Sequence, residues 1–85
     1  MTFKIDRSVL HNLVITQIHK VLSLNPINLE QRLVEFMFLD DLDDICNRII
    51  KEIKSDLDID LTIPGRSIDD NTLTLIQKVF DEIHE

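Results

Sequence analysis

The chain has 85 residues, 44% hydrophobic and 29% charged, a composition that supports one small domain with a single core and no deep catalytic cavity. Its 9 Lys and Arg stand against 16 Asp and Glu, net −7, which argues against a nucleic-acid binder that has to neutralise phosphates. A single Gly excludes a phosphate-cradling Gly-rich loop, and a single Cys excludes an internal disulfide or a Cys-rich zinc site.

The opening run Met1-Thr2-Phe3-Lys4-Ile5-Asp6 has no uninterrupted apolar stretch. No secretory signal is read there, and a cytoplasmic address is the expectation. Residues 8–22 read as an amphipathic helix with the stripe Leu10, Leu13, Val14, Ile18, Val21 and Leu22, and with Val9 and Ile15 at its edges. Ser8 is the expected N-cap, and Pro26 ends the segment, holding Asn25 toward extended geometry. Asn28 with Gln31 three residues on has the spacing of a capping box. It precedes a short apolar run, Leu33, Val34, Phe36, Met37, Phe38 and Leu39, whose ordinary reading is core lining.

Asp40-Asp41-Leu42-Asp43-Asp44 opens the next helix, because backbone N–H groups at a helix start favour negative charge. Leu42, Ile45, Ile49, Ile50, Ile53 and Leu57 form its apolar face, with Cys46 half-buried beside it. Leu57, Ile59, Leu61 and Ile63 then alternate with polar residues, and with no second strand to pair with, a packed extended loop is expected. After Pro64-Gly65, one of Asp69, Asp70 and Asn71 caps a last helix with the stripe Leu73, Ile76, Val79, Phe80 and Ile83. Three substantial helices and a short one predict an all-α domain over residues 1–85, a small antiparallel bundle.

No enzymatic constellation emerges. Asp56-x-Asp58-x-Asp60 has the opening spacing of a calcium loop, but Leu61 and Ser67 stand where that loop needs Gly and a bidentate Glu. His11 and His19 do not have the i, i+4 spacing of a metal pair, and they are read with His84 as surface residues. Cys46 has no His near it in sequence, and no serine lies in a G-x-S-x-G context. No catalytic residue, cofactor or metal is therefore expected. What remains is charge distribution. Residues 40–60 carry 8 acidic and 3 basic side chains, net −5, whereas residues 1–34 carry net +2. Such a face either keeps the domain soluble or docks a basic partner.

The order of features resembles the acyl carrier proteins, over residues 10–83. Met37-Phe38-Leu39-Asp40-Asp41-Leu42-Asp43 resembles the family motif Leu-Gly-x-Asp-Ser-Leu-Asp at the start of the second helix. Leu33-Val34-Glu35 resembles the Phe-x-Glu upstream of it, Ile27 falls where the family places an apolar loop anchor, and Leu57-Asp58-Ile59-Asp60-Leu61 resembles the segment closing that helix. The resemblance implies a small acidic helical carrier domain. The departures are specific. Asp41 stands at the phosphopantetheine-bearing serine and has no hydroxyl, Phe38 stands at the family Gly, and no Ser or Thr lies between Ser23 and Ser55.

The resulting expectation is a non-catalytic, carrier-like module without the prosthetic group. It would present Asp40, Asp41, Asp43, Asp44 and Glu52 to a basic protein surface, with Phe38 and Leu39 making the contact that holds the complex. A fatty-acid or polyketide-type enzyme, or the product of a neighbouring gene, would be such a partner; nucleic acid and membrane would not. The alternatives are a genuine carrier modified at Ser55 or Ser67, a small metal- or ligand-binding bundle, and a regulator or inhibitor of a neighbouring enzyme or toxin.

Overall fold

Three apolar stripes, each on one side of a helix, leave this chain one way to hide them, which is to face one another. The computed structural model describes residues 5–24 and 28–84. It contains α1 (Arg7–Leu22), a single 3-10 turn (Leu33–Glu35), α2 (Leu39–Leu57) and α3 (Thr72–Ile83). Among the described residues there is no strand, only an isolated antiparallel bridge between Arg32 and Asn71. The all-α expectation holds. Asn25, Pro26 and Ile27 lie outside the described residues.

Helix α1 begins one residue before the expected Ser8 cap. The Asp6 carbonyl already accepts from Leu10 N at 3.0 Å, so Asp6 takes the cap position, without a side-chain bond. Leu10, Val14 and Ile18 are fully buried, Leu13, Val21 and Leu22 pack at their margin, and Val9 is exposed. The helix stops at Ser23, in the left-handed region at φ 57°, where its N–H returns to His19 O at 2.7 Å.

Helix α2 carries the strongest separation of faces. Leu42, Ile45, Cys46, Ile49 and Ile53 are buried, while Arg48, Lys51 and Lys54 face solvent. Cys46, read from sequence as half-buried beside the stripe, lies fully inside the shared core, on the side of α2 nearest Arg66 and Lys78. The helix ends at Asp58, again left-handed at φ 55°. The following segment is the packed extended loop expected from its alternation. Leu61 and Ile63 are buried, whereas Asp58, Asp60 and Thr62 are exposed.

In α3 the cap is Asn71, whose Oδ1 accepts from Thr74 N at 2.8 Å. The buried face is Thr72, Leu75, Ile76 and Val79, so the expected stripe is rotated and Leu73 is exposed. The rotation follows from the start of the helix, where Leu73 N donates to Leu29 O at 3.3 Å and the Leu75–Ile76 side turns to the core. The Thr72 hydroxyl is buried and has no hydrogen-bond partner among the described residues. Helix α1 packs against both α2 and α3, and the three bury one shared core. The segment entering α1 and the end of α3 meet at its edge. His84 Nε2 lies 3.2 Å from Ile5 O, and the Arg7 guanidinium sits 5.3 Å from the centre of the Phe80 ring.

Leu75→Ala is expected to lower unfolding stability by about 2–5 kcal/mol, because it opens a cavity in the core. Leu73→Ala should change it by less than about 1 kcal/mol. Urea unfolding of the two variants checks the rotation of α3: equal losses would contradict it.

Candidate interaction surface at the start of the second helix

The surface is built by the loop between α1 and α2, and that loop is held by hydrogen bonds to the segment before α3. Leu33 N donates to Asp70 O and Val34 N to Ile68 O, both at 2.9 Å. The Asn28 side chain does not cap a helix with Gln31, as its spacing predicted; its Oδ1 accepts from Glu30 N at 3.0 Å in a local turn. The cap belongs instead to Glu35, whose Oε2 accepts from Arg32 N at 3.2 Å and closes the 3-10 turn.

This framework sorts the apolar run by direction. Leu33 and Met37 are buried and Phe36 is half-buried, but Val34 is 48%, Leu39 54% and Phe38 81% exposed. The core-lining reading is therefore corrected for Val34, Phe38 and Leu39. Phe38 is extended, at φ −95° and ψ 165°, immediately before α2, and it leaves the core side already filled by Met37. An exposed Phe beside exposed Val and Leu is the kind of apolar patch that marks a contact surface.

The acidic residues around it do not behave alike. Asp41 is half-buried, and its Oδ2 accepts from Phe38 N at 3.0 Å, satisfying one of the free N–H groups at the helix start. Asp43 turns to the other side of α2, where Oδ1 lies 3.3 Å from Arg66 Nη1. The same guanidinium donates to Ile63 O at 3.3 Å and to Asn47 Oδ1 at 3.4 Å. Asp44 pairs with Arg48 one turn on, at 3.3 Å. Asp40 and Asp41 have no ion-pair partner among the described residues. Glu52 lies about 16 Å further along α2, on the Asp41 side. Phe38, Leu39, Asp40, Asp41 and Asp44 thus share one end of the helix, whereas Asp43 and Glu52 stand apart. Glu35 and Val34 join this surface, although the sequence offers them only within the apolar run and the Phe-x-Glu resemblance and not as contact residues. Glu35 was legible as a local cap three residues after Arg32. Arg66 was not legible as the partner of Asp43, because the pairing crosses 23 residues.

The other candidate groups have structural roles. Lys54 Nζ sits 3.1 Å from both Asp58 and Asp60, so an ammonium occupies the calcium-like spacing. Its hydrogen bonds to Asp58 and then Asp60 raise the Lys54 pKa, and in an exposed setting such pairs add little stability. Among the described residues no group of His, Cys, Asp and Glu is placed to hold a metal ion. Ser55 is exposed near the end of α2, and Ser67 Oγ accepts from Asp69 N at 3.3 Å, so neither serine starts an acidic helix. A separate apolar cleft of about 300 Å³ opens at the far end of α2 among Ile5, Val9, Leu13, Ile53 and Leu57. Among the described residues no helix is long and apolar enough to cross a membrane.

Burial pushes the Cys46 thiol pKa up, opposed in part by the nearby Arg66 charge. A raised folded-state pKa means the thiol favours the folded state fully at neutral pH and loses that contribution as pH climbs above the ordinary thiol range. Unfolding stability is thus expected to fall on the alkaline side, with a flatter alkaline limb in Cys46→Ala. The native thiol should resist a disulfide reagent and react fully in denaturant; rapid reaction of the folded protein would contradict its burial.

The chain matches no protein-family model, no curated protein and no solved structure.

Proposed function

We propose that this domain is a non-catalytic interaction module that docks a basic protein surface through the start of α2. In this reading it is an acyl-carrier-protein-like domain without the phosphopantetheine serine. The observation that carries the docking role is the exposed Phe38–Leu39 pair set beside Asp40 and Asp41, whose carboxylates have no ion-pair partner among the described residues. The two kinds of group do different work. Carboxylates steer a cationic partner and set its orientation, but exposed pairs contribute only about 0–1 kcal/mol each. Covering Phe38 removes a large apolar surface from water, worth about 1.5–3 kcal/mol when complete. Charge therefore governs encounter, and the aromatic anchor governs residence.

The carrier-like reading rests on the order of helices and on the run Met37 to Asp43. Under it, Asp41 occupies the attachment position and spends its carboxylate on the Phe38 N–H, a capping role that a carboxylate performs and a phosphodiester-bearing serine would not. Asp44 lies one turn behind it but is paired to Arg48, so the negative field at the helix start comes mainly from Asp40 and Asp41.

Binding to a basic protein partner is expected to weaken steeply between low and physiological salt. The Asp41→Lys/Asp44→Lys double variant should lose binding while retaining its helical circular dichroism. Salt-insensitive binding that survives the double variant would sink the docking role. Intact mass after co-expression with a broad-specificity phosphopantetheinyl transferase tests the other half. The expected mass is unchanged, and an increase equal to the phosphopantetheine arm would make the chain a working carrier.

A further inference from the structure

We propose that the shallow cavity beside Phe38 is a socket for an arginine side chain of the partner, an inference that rests on the docking role above and specifies its chemistry. The cavity, about 340 Å³, lies between the end of α1 and the start of α2. Leu22, Val34, Phe36 and Phe38 give it apolar walls, and Glu35 and Asp41 bring carboxylates to it.

Both carboxylates are held before any partner arrives. Glu35 Oε2 accepts from Arg32 N and Asp41 Oδ2 from Phe38 N, which leaves one oxygen of each for an incoming donor. Neither is in an ion pair among the described residues, in contrast to Asp43 with Arg66 and Asp44 with Arg48. Ordering these side chains thus adds little entropic cost to binding. The positive end of α2 opposes a cation, but its effective charge of about +0.5 is smaller than the full charges on Glu35 and Asp41 together.

Arginine fits this combination better than lysine does. Its aliphatic stem packs on apolar walls, its planar face stacks on aromatic rings, and its fork of N–H donors can serve two carboxylate oxygens. The lysine ammonium is a compact, strongly hydrated charge that gains little from Phe36 and Phe38.

The test is an amide NMR titration of the full chain at low ionic strength with two monovalent cations of similar length, n-propylguanidinium and n-butylammonium. Propylguanidinium is expected to shift amides in residues 34–41 saturably and to bind several-fold tighter than butylammonium. Glu35→Gln keeps an acceptor for Arg32 N and removes only the charge; it should weaken propylguanidinium binding several-fold, as should Phe38→Ala at its exposed site. Equal binding of the two cations, absence of saturation in residues 34–41, or indifference to both variants would overturn the socket. Retention on immobilised polylysine, with and without Asp41→Lys/Asp44→Lys, reads the docking role separately. Salt-sensitive retention lost in the double variant, without guanidinium preference, leaves the docking surface standing and removes the socket. Guanidinium preference without polylysine retention removes the docking role and with it the assignment of the bound group to a partner's arginine.

Discussion

Everything in this domain depends on burying the face of α2 formed by Leu42, Ile45, Cys46, Ile49 and Ile53 against Leu10, Val14 and Ile18 of α1. A chain of this length has one core to work with, and these residues are most of it. None of them has a second place to go. Each buried aliphatic side chain contributes about 1.5–3 kcal/mol, and net stabilities are only about 5–15 kcal/mol, so the helix pair sets the fold and α3 closes its remaining side.

Placing α2 in this way places its two ends. At its beginning the helix has free backbone N–H groups and an acidic first turn, a pairing that stabilises the helix whatever its function. The connection from α1 is bonded to the segment preceding α3 through Leu33 and Val34, and its Leu29 carbonyl accepts from Leu73 N in the first turn of α3, so Phe38 projects from a stitched support. That support separates the residues by role. Leu33 and Met37 anchor it to the core, and Val34, Phe38 and Leu39 are left outside.

The same arrangement divides the acidic cluster. Arg66 and Arg48 neutralise Asp43 and Asp44 locally, and Lys54 gathers Asp58 and Asp60. Four of the eight acidic side chains in residues 40–60 are thus paired within the chain, although Arg48 and Lys54 are already counted in the segment's net −5 and only Arg66 comes from outside it. The carboxylates that remain near Phe38 are Asp40, Asp41 and, from the preceding turn, Glu35. A docking role draws its specificity from those three and from the rings beside them, rather than from the total charge of the helix.

The sequence by itself determined the number and type of the main helices, the boundaries of α2, the extended character of the loop through Leu61 and Ile63, and the acidic start of α2. Those are properties of period and local charge, which act between residues a few positions apart. It also placed Phe38, Leu39, Asp40 and Asp41 together, because they are neighbours in the chain. Only the tertiary structure decided which of them face outward. An apolar run without clear period reads equally as core, and Val34, Phe38 and Leu39 are exposed because Leu33 and Met37 had already taken the core side. Tertiary contacts likewise rotated α3 away from Leu73, enclosed Cys46, and drew Asp43 to an arginine far along the chain. Those outcomes depend on which helix face meets which neighbour, a choice made by the packing of all three helices at once rather than by local preference.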